Sequence, residues 1–429
     1  MFLRSIKVSN FKSFEEIRVD FNRFNVLIGA NASGKSNFVS IFNFLKDIAN
    51  SGLDNAISMQ GGIDYIRNIN LGPSQDLSIE LHIDLENEHG FPIEEKNKEL
   101  TLFSPQEFFY NLCIRFPKKG KGYKIAGETL GIGIELAHVK GERDTEEEIE
   151  TTKRGKIVFT NDGKEIKYEI DENIKEVLGK WAIPLPLVRR FLENGSSRKK
   201  LFLESEIPLF LVPTDSQFRD FIHNITLYDF DPRLSKLATQ ISGKAELEPD
   251  GRNLAIVLKN ILENKKDAEK FFDITKSILP FIENITVEKL MDKSLIVSIK
   301  ETYTKKKFPA ILVSDGTISI TALIIALYFE ENPFVIFEEP ERNIHPYLIS
   351  KVIEMMKDVS ETMKKQQIII TTHNPEVVKY ADITHLLFMY RDENGFSRIS
   401  RPVEKEEVKT FLENDIGIEE LYVQNLLEW

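Results

Sequence analysis

Cysteine is almost absent: Cys113 is the only one in 429 residues, which excludes an intramolecular disulfide, a four-cysteine zinc site and a paired redox motif. Long apolar runs are missing too. The longest, residues 318–329, contains Ser319 and Thr321 and falls short of the roughly 20 residues that a membrane helix needs. Residues 1–14 alternate charged and apolar types with no uninterrupted hydrophobic stretch, so they do not read as a signal peptide. Positive charge is in deficit, since 56 Lys and Arg against 68 Asp and Glu give −12. Such a chain repels a phosphate polymer overall, so any nucleic-acid contact must come from a local basic patch. No repeat and no sustained heptads occur, which excludes solenoids and long coiled coils. The expectation is a soluble, cytoplasmic protein of two or three domains that makes no membrane contact.

What is present is a pattern of short apolar segments. Residues 3–11 and 17–21 nearly alternate and predict two strands, and 24–28 read as a buried strand. After Ser36, Phe38, Val39, Phe42 and Leu45 fall at helical spacing. A further strand is predicted at 76–84, with a domain boundary near residue 86. Between 87 and 300 the pattern weakens: the charge-rich run 140–156 reads as a solvated loop, 156–159 as a strand piece, 254–262 as a helix and 289–299 as a strand. From 314 the pattern sharpens into a helix to about 329, a buried strand at 334–337, a helix through about 363 and a second buried strand at 367–371. Two buried strands separated by a helix argue for a parallel sheet of the α/β class.

Four motifs carry chemistry. Gly29, Ala30, Asn31, Ala32, Ser33, Gly34, Lys35 and Ser36 match the P-loop pattern between a strand and a helix, followed by Asn37. Backbone N–H groups of such a loop converge on phosphate oxygens, Lys35 neutralises the β- and γ-phosphates, and the Ser36 hydroxyl can ligate Mg2+. The strand 334–337 ends in Glu338 and Glu339, placing carboxylates at the sheet edge where ligands of open α/β sheets bind. Glu338 is read as a Mg2+ ligand through water and Glu339 as the group that polarises the attacking water. The strand 367–371 leads to His373, an imidazole able to donate to the γ-phosphate. Ser314, Asp315, Gly316 and Thr317 open a helix, a second anion-binding end and, taken alone, an ordinary N-cap.

The order of these motifs, with IKVSNFKSF at the start, GANASGKSN, YDFDP at 228–232, DGRNLA at 250–255, SDGT, EEPERNIHP at 338–346 and TTHNP at 371–375, resembles the ABC-type ATPase heads of RecF and SMC proteins. It looks especially like the stand-alone AAA family ATPases called RecF-like or OLD-like. The resemblance covers 1–86 and about 226–429. It implies an ABC-type P-loop head with a mixed sheet built from 1–86 and 300–429, and an α+β insertion over 87–299 as lobe II and partner surface. It further implies a homodimer, open to higher assembly, in which ATP and Mg2+ are sandwiched and Ser314 and Gly316 reach the γ-phosphate of the other subunit. Glu339 would be the catalytic glutamate, His373 the switch histidine, and 343–346 the D-loop. Glu338 departs from the usual Asp, which bears on turnover more than on binding. The Q-loop glutamine stays open between Gln60, Gln75 and Gln106, all read as lying in loops.

Three functions compete. One is an ATPase switch that controls a separate effector or nuclease chain, an arrangement the resemblance links to phage defence. Another is a RecF-like DNA-binding ATPase of repair, with Lys118, Lys119, Lys121, Tyr123, Lys124 and the basic residues 198–200 as contacts. A self-contained nuclease would need a metal-binding Toprim domain, and only about 55 residues follow His373, too few for such a domain of usual size.

Overall fold

The computed structural model describes residues 1–86, 91–94, 100–117, 122–140, 148–180, 201–204, 215–404, 408 and 418–423. In chain order its strands are β1 (Phe2–Phe11), β2 (Phe14–Asp20), β3 (Phe24–Gly29), β4 (Leu77–Asp84), β5 (Phe91–Glu94), β6 (Leu100–Arg115), β7 (Lys124–Lys140), β8 (Glu148–Asn161) and β9 (Ile166–Ile170), then β10 (Ile225–Tyr228), β11 (Thr239–Gln240), β12 (Ile282–Lys289), β13 (Ser294–Glu301), β14 (Phe308–Pro309), β15 (Phe334–Glu338), β16 (Gln367–Thr372) and β17 (Leu386–Arg391). The chain divides into two compact units. One joins Met1–Phe21, Ser36–Asn224 and Arg391–Ile399, and the other Asn22–Lys35, Ile225–Tyr390 and Ser400–Trp429.

The first unit is built on an antiparallel sheet of order β2-β1-β4-β6-β7-β8-β9, with β5 paired to β6. Alternation drives it: β4 reads LSIELHID, and its Leu77, Ile79, Leu81 and Ile83 are buried while Glu80 is exposed. The helix Lys35–Ser51 buries Phe38, Phe42 and Leu45 as the spacing predicts, and adds Phe44 and Ile48. The run 140–156 is not wholly a loop, since β8 begins at Glu148 and pairs with β7 in register, Glu135 opposite Arg154. Opposite charges on facing strands let a charge-rich segment form a ladder.

The second unit holds a parallel sheet of order β10-β15-β16-β3-β17. Every residue of β3 and β16 is buried, as are the four apolar residues of β15. Strands covered on both faces need such unbroken apolar runs. The helix Asp315–Tyr328 is buried from Thr317 to Leu327 and runs through the core, which explains its lack of a polar face. A smaller antiparallel sheet, β11-β13-β12 with β14, completes the unit. The strand expected at 289–299 is two strands, because Lys293 at φ 65° makes the turn between β12 and β13. The helix expected through 363 ends at Lys357, followed by a π-turn at Asp358–Thr362.

The α/β class agrees with the sequence, but the unit boundaries differ from those expected at 86 and 300. Hydrogen bonding explains the difference. β1 pairs with β4 and β4 with β6, so the N-terminal strands continue into the sheet that runs to residue 170. Only Asn22–Lys35 joins the parallel sheet, through β3, and residues 225–299 supply its β10.

Candidate nucleotide site

The second unit brings the ends of β3, β15 and β16 side by side, Thr371 facing both Leu27 and Glu338 in register. All three strands point the same way, so the segments that leave them share one sheet edge. Gly29 closes β3. A Cβ there would lie 2.4 Å from the Met389 carbonyl oxygen and 2.7 Å from Ser33 Oγ, so only glycine fits. The loop then turns through positive φ at Ala32 (64°) and Gly34 (120°). Lys35 folds back over it, its Nζ donating to the carbonyls of Gly29 at 2.6 Å and Ala30 at 3.1 Å. Burial lowers the Lys35 ammonium pKa, and the charges of Glu339 and Glu341 act against that shift. The lysine that would meet phosphate is thus held on its own loop within the field of two carboxylates. Ser36 and Asn37 open the following helix in the first unit, where the Asn37 amide donates to Ser13 Oγ at 2.8 Å.

Three acids leave β15. Glu338 is half-buried, and burial followed by the charge of Asp229 raises its carboxyl pKa. Glu339 keeps the ladder through its N–H, which donates to Thr371 O at 2.9 Å, then turns at φ 45°, a left-handed conformation unusual for glutamate. Its Oε1 lies 2.5 Å from His373 Nδ1. Its Oε2 accepts from Arg342 Nε at 3.3 Å and Nη2 at 3.2 Å, and Arg342 Nη1 reaches Asp229 Oδ1 at 3.0 Å. Glu341 is buried, accepts from Thr372 Oγ1 at 2.5 Å, and has its pKa raised by that burial. Glu339 and His373, expected from sequence, therefore touch. Asp229, Arg342 and Glu341 had no assigned role, although YDFDP and EEPERNIHP contain them; ion pairing between segments far apart in sequence leaves no periodic signal.

Ser314 caps the helix Asp315–Tyr328, its Oγ accepting from Thr317 N–H at 3.2 Å and lying 2.7 Å from Thr317 Oγ1. Asp315 pairs with Lys236. Gly316 is pressed against the turn that follows Glu339, for a Cβ there would sit 2.7 Å from Asn343 O. Asn343 itself has φ 65°. The helix start and the acidic turn are thus packed on each other.

Other sequence candidates fall elsewhere. Gln60 lines a cleft of about 710 Å³ in the first unit with Lys12, Arg67 and Arg391. Gln75 follows a short 3-10 turn, whereas Gln106 is inside β6 at a register shift rather than in a loop, its amide on Ser104. Tyr123 donates to Asp54 at 2.5 Å. Lys118, Lys119, Lys121 and residues 198–200 lie outside the described residues. His82, Asp84 and Glu107 converge on β4 and β6, but Arg4 already supplies Asp84 with a cation at 2.6 Å. Among the described residues no helix is long and apolar enough to cross a membrane.

Comparison with known proteins adds three findings. Residues 1–378 match the AAA ATPase domain family. A stretch of 56 residues is 43% identical to the DNA replication and repair protein RecF of Oenococcus oeni, covering 13% of this chain and 15% of that protein. Among solved structures, an SMC head bound to the C-winged helix domain of ScpA is 15% identical over 93% of this chain and 98% of that one, with a TM-score of 0.49. The SMC head domain from Thermotoga maritima is 15% identical over 94% and 99%, with a TM-score of 0.42. With residues 1–378 inside the family match, the phosphate loop, both strand-end acids and His373 included, the chain belongs to the AAA ATPase domain family, whose members bind nucleotide.

Proposed function

We propose that the protein is an ATP-hydrolysing switch that dimerises around ATP. The observation that carries this reading is the alignment of Lys35, Glu339 and His373 at the C-terminal ends of three neighbouring parallel strands, with Glu339 and His373 2.5 Å apart. Lys35 would leave the Gly29 and Ala30 carbonyls for the β- and γ-phosphates, a charge-assisted exchange. Glu339 would orient and polarise the attacking water, and His373 would donate to the γ-phosphate once it parts from Glu339. Hard oxygen donors suit Mg2+, so Glu338, with Ser36 as the residue next to Lys35, would hold that ion. When bound it supplies positive charge for the phosphates. Ser314 and Gly316 would close over the nucleotide of a second subunit, so that ATP completes both sites of a two-fold dimer. The output of the switch would be a separate effector or nuclease chain, the setting that the family resemblance links to phage defence.

Lys35 and Glu339 serve different steps, and the test uses that. Lys35→Ala should lose ATP binding in calorimetry, while Glu339→Gln should bind ATP and lose about 100- to 1000-fold in turnover. Wild-type turnover by Glu339→Gln would remove Glu339 from the chemistry.

A further inference from the structure

We infer that Glu341 is a positioning residue that fixes the place of His373 against Glu339 through Thr372, an inference that rests on the ATPase reading for its effect on turnover. Glu341 leaves the β15 end two residues after Glu339, and its side chain crosses to the end of β16, where Thr372 Oγ1 donates to Oε1 at 2.5 Å. The same hydroxyl oxygen accepts the Asn374 N–H at 2.9 Å. Thr372 therefore ties the residue after His373 back to the one before it. Asn374 in turn accepts the Glu376 N–H at 3.0 Å and caps the helix Pro375–Tyr380. His373 sits in a bracket whose anchor is the Glu341 carboxyl.

Two features set this acid apart from packing. It is 6% exposed, yet its second oxygen, Oε2, is buried without a hydrogen-bond partner among the described residues. An unpaired buried acceptor is unfavourable, and an apolar side chain at the same place would avoid it. The backbone around it is strained as well, with Glu339 at φ 45° and Asn343 at φ 65° on either side. What the carboxyl secures in return is geometry: Glu339 and His373 come from different strands, and the Glu341–Thr372 bond is a cross-strand tie beside their contact.

The test compares Thr372→Val, which keeps the shape and loses the hydroxyl, with Thr372→Ser, Glu341→Leu and the double variant Glu341→Leu/Thr372→Val. Thr372→Val and Glu341→Leu should each lower kcat about tenfold with KM within about twofold, Thr372→Ser should stay near wild type, and the double should fall no further than the worse single, as for residues acting through one contact. In nucleotide-free protein the 15N resonance of His373 Nδ1 should move in Thr372→Val and stay in Thr372→Ser. Additive losses, equal damage from Ser and Val, or an unmoved His373 resonance in Thr372→Val would overturn the inference. If the wild-type protein neither binds nor hydrolyses ATP, the ATPase reading falls, and the His373 resonance alone decides the positioning role. Should Glu341→Leu fail to fold, the Val and Ser pair gives the same decision.

Discussion

Each unit of the molecule buries carboxylates, and the two do so differently. In the first unit Glu128 on β7 is 1% exposed and takes hydrogen bonds from Tyr110 Oη at 2.8 Å, the Phe202 N–H at 2.8 Å and Asn161 Nδ2 at 3.1 Å. Burial still pushes its pKa up to about 8, although those bonds pull it down. In the second unit, Glu338, Glu339 and Glu341 crowd one strand exit. Glu339 is shared by His373 and Arg342, Glu341 has one donor, and Glu338 takes no hydrogen bond from a described residue. Glu128, Glu338 and Glu341 are all buried enough for desolvation to raise their pKa. Glu128 and Glu339 have protein partners on both oxygens, Glu341 has a donor on one, and the Glu338 carboxyl has none among the described residues. Glu128 is saturated inside the core and acts as a structural tie, whereas Glu338 and Glu341 are under-donated and the partners of Glu339 are half-exposed, so that solvent or a ligand can replace them.

The largest expected effect separates these roles. Glu128→Leu strips three donors of their acceptor, including the N–H of Phe202, and should cost at least about 3 kcal/mol in denaturant unfolding at about 1 to 3 kcal/mol per unpaired group. Glu339→Gln should change stability by under about 1 kcal/mol, because its partners are half-exposed and solvent can replace it. Equal stability losses would erase the distinction between the two kinds of acid.

A smaller effect concerns the second anion-binding end. If ATP closes a dimer over the under-donated site, adding ATP to Glu339→Gln protein should double its mass in light scattering, and Ser314→Arg in that background should abolish the change. Arg also removes the N-cap, a loss of about 1 kcal/mol. Ser314→Asp separates the causes: Asp caps as well as Ser does, so stability should hold while its charge repels the γ-phosphate and association still fails. Association by Ser314→Asp equal to that of its parent would reduce Ser314 to a cap.

The sequence made the parallel sheet and its edge legible because parallel strands advertise themselves. FNVLIG and QIIITT are unbroken apolar runs, and the glycines of the loop answer constraints that a single residue type satisfies, such as the Met389 carbonyl beside Gly29. The first unit was less legible. Its long strands carry charge on both sides of a ladder, so Arg154, within the run read as a loop, shows as a strand residue only once its pairing with Glu135 is known. Burial of Glu128 and Glu341 left no mark either, since a lone glutamate in a strand or turn has the same local pattern whether it faces water or the core. What places them is contact between segments distant in sequence, Glu128 with Phe202 and Glu341 with Thr372.

The smallest expected effect is a pH dependence, and it sharpens the same contrast. Burial raises Glu128 from 4.5 to about 8, so between those values the folded protein holds a proton that the unfolded chain has released. The stability this adds is fully present below the ordinary value and is lost as pH rises through about 8, with a slope of at most about 1.4 kcal/mol per pH unit. Glu338 and Glu341 are raised too, for the same first reason, and contribute with the same sign. Their share should vanish when a cation and nucleotide occupy the strand exit, because a bound positive charge favours the ionised form. Melting temperatures of the wild type should therefore fall between pH 6.5 and 8.5 by a few degrees, as a loss of about 1 to 2 kcal/mol implies for a chain of this size. Glu128→Gln should flatten much of that fall with or without ligand. A fall between pH 6.5 and 8.5 that Glu128→Gln leaves unchanged would show that Glu128 is not the titrating group.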